Sequence, residues 1–241
     1  MTAPYWIDAG DPVDGFPDVA LALREPDGLL AAGGDLSPAR ILAAYRQGIF
    51  PWYSEGQPIL WWSPDPRAVL FPEQLKISRS LRKRLKKAPF EVTLDRAFAQ
   101  VMAGCAAPRK GESGTWITQQ MKQAYQQLHR AGVAHSVECW EGGVLVGGLY
   151  GIAIGRVFFG ESMFSRCSDA SKVALVHLVS VLRSRGFELI DCQVATAHLA
   201  SLGAVSVPRI QFVRMVRRLC DMPGWDGRWE MESSAGFSTG F

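Results

Sequence analysis

The sequence lacks the patterns that would assign it to several large classes. Its five cysteines, Cys105, Cys139, Cys167, Cys192 and Cys220, are an odd number with no CxxC pair among them. This argues against a disulfide framework and a zinc knuckle alike, and we read them as reduced packing residues. The four histidines, His129, His135, His177 and His198, stand at no ligand or triad spacing, so no metal is expected. Ser162 and Ser165 flank Met163 without the glycines of a nucleophile elbow. No apolar run approaches the length needed to cross a bilayer. Met1 to Asp11 carries acids and a proline where a signal peptide needs a basic start and an apolar stretch. The expectation is a cytoplasmic chain with no membrane partner.

What is present is a chain of 241 residues, 48% hydrophobic, long enough for one large domain or for a medium and a small one. The early part is rich in proline and glycine, and Phe50-Pro51-Trp52-Tyr53 with Trp61-Trp62 sets five aromatics in thirteen positions. We place a small N-terminal domain at 1–66 and a larger domain at 67–241. A short helix should start at Ser37-Pro38, where serine caps and proline fills the first turn, and end at Gly48. Aromatics clustered in a small domain are mostly its core; Trp52 is the ring assigned to a ligand.

The net charge of +3 is modest but unevenly placed. From Lys76 to Lys87, seven of twelve residues are positive and none is acidic: Lys76, Arg79, Arg82, Lys83, Arg84, Lys86 and Lys87. Ile77, Leu81 and Leu85 recur every four residues, which predicts a helix that buries one stripe and presents a cationic face. So many uncompensated charges repel at helical spacing, which favours a polyanionic partner such as nucleic acid over a plain solvated face.

Beyond that helix the pattern is α+β. Thr118 caps a helix with Met121, Tyr125 and Leu128 on one face. Strands near 135–140, 144–153 and 157–162 are joined by the turns Glu141-Gly142-Gly143 and Ile154-Gly155-Arg156, so they should pair as an antiparallel meander. A nearly all-apolar helix opens at Ser168 or Asp169 and runs to Arg185. A strand with Asp191 and Gln193, a short helix over 196–202 and a last helix from Pro208 follow. Meander, crossover helix and further strand make an acetyltransferase-like (GNAT-type) mixed sheet with flanking helices.

Two segments break the apolar pattern, Gly160-Glu161-Ser162-Met163-Phe164-Ser165-Arg166 and Phe187-Glu188-Leu189-Ile190-Asp191-Cys192-Gln193. Buried polar groups cost free energy unless something pairs with them, so the two look like walls of one site. Strand alternation puts Leu189, Asp191 and Gln193 on one face and Ile190, Cys192 and Val194 on the other. Taken alone, the strand is equally compatible with a structural polar pair. Acetyl-CoA enzymes of this architecture hold pyrophosphate on a glycine-rich loop at the crossover helix. Here the equivalent stretch, Ser165 to Lys172, has no glycine and places an acid at the cap. The acyl donor should therefore be something else.

Glu25 to Leu36, Gly48-Ile49-Phe50-Pro51-Trp52, Trp61 to Arg67, Gly114-Thr115-Trp116-Ile117-Thr118, Ala134-His135-Ser136-Val137-Glu138, Gly160 to Arg166 and Ile190-Asp191-Cys192-Gln193 resemble, in the same order, blocks of the bacterial leucyl/phenylalanyl-tRNA-protein transferases. The resemblance runs from about residue 15 to residue 215, and the tail after Cys220 matches nothing in it. It implies transfer of Leu, Phe or, less well, Met from aminoacyl-tRNA to proteins that begin with Arg or Lys, marking them for the N-degron pathway, by a monomer without a cofactor.

The resemblance also implies roles. Gln193 faces the attacking amine, Asp191 polarises it, and Glu161 suits the acceptor's cation. Trp52, Trp116 and Tyr125 match contacts to the aminoacyl-adenosine end, with Ser162 beside them. Leu149, where relatives can carry methionine, joins Phe158, Phe164, Leu175 and Ile190 as candidate walls of the side-chain pocket. The cationic helix would then bind tRNA. Two other classes remain open on the residues alone, an acetyl-CoA-dependent N-acetyltransferase and a non-enzymatic RNA-binding protein.

Overall fold

Two mixed sheets carry the chain. The computed structural model describes residues 3–108 and 115–229; Gly114 and the end of the chain, 230–241, lie outside the described residues. The first sheet, in order β1-β2-β4-β3, joins β1 (Tyr5–Ile7), β2 (Leu29–Gly33), β3 (Phe50–Pro51) and β4 (Leu60–Trp62). Between β2 and β3 lies helix α1 (Pro38–Arg46), capped by Ser37, whose side chain accepts from the Arg40 amide. Its inner face carries Ile41, Ala44 and Tyr45 into the core.

The second sheet has seven strands in the order β11-β5-β10-β9-β8-β7-β6. β7 (Ala134–Glu141), β8 (Val144–Ile154) and β9 (Val157–Ser165) form the expected antiparallel meander. Gly142 and Gly143 supply the positive φ that a two-residue hairpin turn demands. Helix α5 (Ala170–Ser184) then crosses over, and β10 (Leu189–Gln193) returns parallel to β9. This is the acetyltransferase-like arrangement. The sheet is extended by β5 (Arg67–Leu70), antiparallel to both β10 and β11 (Val205–Val207), and by β6 (Glu91–Leu94) against β7. No periodic signal marks β5, β6 or β11, because each is too short for alternation to register.

Apolar side chains cover both faces of this sheet. On one face lies α5, whose nearly all-apolar sequence is explained by its packing against β7 and β8 on one side and against α2 (Arg79–Lys86) on another. Gly147 lets α5 close onto β8, since a Cβ there would meet the Ala170 Cβ at 2.5 Å. The other face carries α1, α3 (Phe98–Ala106), α4 (Gln119–Arg130) and α7 (Arg209–Cys220), with α6 (Ala197–Ser201) beyond β10. The first sheet shares this core through Ile7, Leu30, Ala31 and Trp61, so the two sheets are packed on one apolar cluster. Among the described residues no helix is long and apolar enough to cross a membrane.

Candidate active site

The site opens where two parallel strands part. β9 and β10 pair only as far as Phe159 and Asp191, yet β9 continues to Ser165 and β10 to Gln193. Their carboxyl ends therefore diverge around a cleft of about 640 Å³. Leu149, Phe158, Met163, Leu175, Leu178 and Ile190 line its apolar side; Glu161, Ser162, Asp191 and Gln193 line its polar side; Trp52, Trp116 and His198 stand among its remaining walls.

Both polar walls sit at bulges. Tyr150 pairs with Ser162 and Gly151 with Gly160, which leaves Glu161 as the extra residue of β9. Val69 pairs with Asp191 and Ala68 with Gln193, which leaves Cys192 as the extra residue of β10. A bulge re-aims a side chain without ending the strand. Gln193 itself has φ +56°, in the left-handed region, a conformation that a non-glycine residue holds only where its surroundings enforce it.

Its main enforcer is Asp191. The Gln193 amide N–H donates to Asp191 Oδ1 at 3.0 Å, and Gln193 Nε2 lies 3.4 Å from Asp191 Oδ2. Asp191 is wholly buried and is gripped by Arg67, whose Nε and Nη2 donate to its two oxygens at 2.8 and 2.7 Å. Arg67 is equally buried, donates through Nη1 to the Gly48 carbonyl at 3.1 Å, and lies between the Phe50 and Phe212 rings, 4.7 and 4.5 Å from their centres. Asp191 thus does both things the strand pattern left open, a structural ion pair and a polar wall of the cleft.

Glu161 has different partners. Tyr45 donates to Oε1 at 2.5 Å and Tyr125 to Oε2 at 2.8 Å. Burial is the largest influence on this carboxyl; the two phenols and Arg67 oppose it, Asp191 adds to it, and the group is raised to about 7. Burial, then the Glu161 charge, pushes Tyr45, Tyr125 and Tyr150 well above the ordinary phenol range. Burial likewise pushes the Cys192 thiol up to about 12, so it is protonated at neutral pH and is no nucleophile.

Of the substrate contacts expected from sequence, Trp52, Trp116, Phe158, Phe164, Ser162, Leu149, Ile190 and Leu175 all line the cleft. Trp52 remains 44% exposed and can stack on a ligand. Tyr125 is a correction: it is fully buried, does not line the cleft, and reaches it through its hydrogen bond to Glu161 and its ring contact with Tyr150. Phe164 faces the core opposite α5, its ring packed where a Cβ on Gly104 would be. Sequence pattern does not point to Arg67, Tyr45 or Leu178, and Arg67 and Tyr45 make contacts 124 and 116 residues away in sequence that no local pattern announces.

The cationic helix is α2, capped by Ser78. Lys76, Arg79, Arg82, Lys83, Lys86 and Lys87 are exposed. Arg84 is a second correction, since it is half-buried over the Phe90 ring at 5.1 Å and turns toward the body. At the start of α5, the Ser171 amide is already bonded to Ser165 Oγ at 2.8 Å, and Asp169 pairs with Lys172 at 2.9 Å. That N-terminus is not laid out as a phosphate cradle. His135 bonds Asp95 and His129 bonds the Ala134 carbonyl. Among the described residues no group of three His, Cys, Asp or Glu is placed to hold a metal.

An acetyltransferase-like sheet that opens on a cleft of carboxylates and an amide is an arrangement suited to acyl transfer. Residues 69–217 match the leucyl/phenylalanyl-tRNA protein transferase family, and residues 34–65 match the N-terminal domain of the same family. Leucyl/phenylalanyl-tRNA-protein transferases from Aromatoleum aromaticum and Nitrosomonas europaea are each 61% identical, over 94% and 89% of this chain and 95% and 91% of theirs. The chain belongs to the leucyl/phenylalanyl-tRNA-protein transferase family, a family of aminoacyltransferases. Among solved structures, L-PGS from Bacillus licheniformis is similar with a TM-score of 0.39 at 13% identity, over 82% of this chain and 66% of that one. A GCN5-related N-acetyltransferase from Kribbella flavida is similar with a TM-score of 0.36 at 13% identity, over 68% of this chain and 59% of that one.

Proposed function

We propose that this protein transfers Leu, Phe and, less well, Met from aminoacyl-tRNA to the α-amine of proteins that begin with Arg or Lys, as a cytoplasmic monomer, marking them for N-degron degradation. The observation that carries the reading is the cleft itself: an apolar pocket beside a glutamine amide clamped by a buried carboxylate. The aminoacyl ester is already activated, so positioning and charge stabilisation count for more than a strong base. With its nitrogen turned to Asp191, the Gln193 amide has its oxygen available as an acceptor that aims the amine. Arg67 fixes Asp191 and, through it, Gln193.

The walls formed by Leu149, Phe158, Leu175, Leu178 and Ile190 suit an apolar donor side chain, aliphatic or aromatic, that is not branched at Cβ. Trp52 and Trp116 offer faces to the terminal adenine of the tRNA, and the exposed residues of α2 offer charge to its phosphates. In this reading residues 1–66 form a small domain that contributes Trp52 and Tyr45 to a site otherwise built from 67–241.

The test supplies labelled Leu-tRNA, Phe-tRNA or acetyl-CoA to the purified protein with peptides that begin in Arg, Lys or Ala. Label should move from tRNA to the Arg and Lys peptides alone. Gln193→Ala should lower turnover while aminoacyl-tRNA binding survives. Label moving only from acetyl-CoA, or full turnover by Gln193→Ala, would sink the reading.

A further inference from the structure

At the inner wall of the cleft, three side chains meet with one proton fewer than their contacts require. Tyr45 Oη lies 2.5 Å from Glu161 Oε1, Tyr125 Oη lies 2.8 Å from Glu161 Oε2, and the two phenol oxygens are 2.7 Å apart. Each is a hydrogen-bond distance, and each needs its own proton. The phenols supply two; an ionised carboxylate supplies none. With Glu161 ionised both phenols donate to it; once it takes up a third proton, Tyr125 turns from donor to acceptor and the ring closes, with Glu161 donating to Tyr125, Tyr125 to Tyr45, and Tyr45 back to Glu161.

We propose that Glu161 is the proton acceptor for the incoming α-ammonium group, and that Tyr45 and Tyr125 are positioning residues that hold its ionised carboxylate ready through one donated hydrogen bond to each oxygen. The proposal rests on the aminoacyl-transfer reading of the same cleft. Other groups there are poor acceptors. The Gln193 amide is a very weak base, and both Asp191 oxygens are taken by Arg67. Glu161 has unused lone pairs and its carboxyl stands at about 7, close to a free N-terminal amine at about 7.7–8.0, so transfer between them is nearly balanced. The groups that face it are Tyr45 from α1, Tyr125 from α4, Tyr150 from β8, Asp191 from β10 and Arg67 from β5; of the last two, Asp191 opposes its charge and Arg67 favours it.

The step balances as follows. The ammonium nitrogen gives one proton to the Glu161 carboxylate and becomes a free amine. Its lone pair attacks the ester carbonyl carbon, the C–N bond forms and the C–O bond to the ribose breaks. The nitrogen loses a second proton, the leaving ribose oxygen ends as a hydroxyl, and Glu161 releases its proton to water.

The test follows kcat with saturating Arg-terminated peptide from about pH 5 to 9 in the full-length protein, where the profile reports groups in the bound complex. Glu161 must be ionised to accept, so kcat should fall about tenfold per pH unit on the acid side. Tyr45→Phe and Tyr125→Phe each remove a donor that favours the ionised form, so the acid limb should move up by about one pH unit. Glu161→Gln should lower kcat and abolish the limb. In parallel, carboxyl-labelled glutamate NMR of the free protein should show one group titrating near neutrality that is absent from Glu161→Gln. Phenylalanine variants with an unmoved limb, or a Glu161 carboxyl that titrates below about 5, overturn the proposal. An unaltered protein that transfers nothing from tRNA overturns the transferase reading instead, and the NMR titration still decides whether the ring holds a proton.

Discussion

Replacing Arg67 with methionine should leave a carboxylate stranded in the core. Methionine keeps an apolar stem between Phe50 and Phe212, so lost packing is small and lost charge dominates. Asp191 would lose donors at 2.8 and 2.7 Å, and the Gly48 carbonyl one at 3.1 Å. Only the Gln193 contacts would remain to Asp191, at 3.0 and 3.4 Å. Neither partner of the pair is exposed at all, and removing one member of such a pair costs about 3–5 kcal/mol. At about 2–4 °C per kcal/mol for a chain of this size, Tm should fall by roughly 6–20 °C. Urea and thermal unfolding followed by circular dichroism give both numbers. Adding Asp191→Leu should recover most of that loss, since two missing charges are cheaper than one unpaired charge. Transfer should stay low in both variants, because in the single variant Asp191 is no longer fixed by Arg67 and in the double variant Gln193 has lost its anchor. A single variant that costs under about 1 kcal/mol, or a double variant no more stable than the single, would refute the reasoning.

Removing Arg82, Lys83 and Lys86 together should weaken tRNA binding and lower the slope of log affinity against log salt by up to about three, measured by filter binding across salt concentrations. Arg84→Ala should instead cost stability through the lost contact with Phe90, with little change in salt slope. In Gly104→Ala the new Cβ would lie 2.7 Å from the Phe164 ring. Helix propensity would favour alanine by about 1 kcal/mol, but the clash costs about 1–3 kcal/mol. The variant should therefore be less stable on urea titration, and a displaced Phe164 should raise KM for the aminoacyl-tRNA.

Much of the frame is legible in the sequence because its signals are long or repeated. The glycine turns and alternating strands give the meander, and Ile77, Leu81 and Leu85 give α2. Asp191 and Glu161 stand out because each interrupts an apolar run. Their partners do not stand out. Arg67 sits in a four-residue strand just after prolines, and Tyr45 reads as one more core aromatic on α1. What joins each of them to the cleft is a contact made more than a hundred residues away, and contacts of that range leave no periodicity behind. Bulges hide the rest. Alternation assigns Gln193 to the face of Asp191, but the extra residue at Cys192 and the left-handed backbone at Gln193 turn the amide back onto the carboxylate. Arg84 failed the charge-count reasoning because a guanidinium can lie over a ring as readily as face water.

The first sixty-odd residues donate Tyr45 to Glu161, and the Gly48 carbonyl and Phe50 ring to Arg67. The boundary between the two sheets therefore runs through the reactive wall instead of beside it. A chimaera that took its opening segment from one relative and the remainder from another would have to match three points of contact at once to retain a working cleft. Substitutions on either side are bound to each other in inheritance, so divergence within such a lineage should proceed by paired changes across that seam.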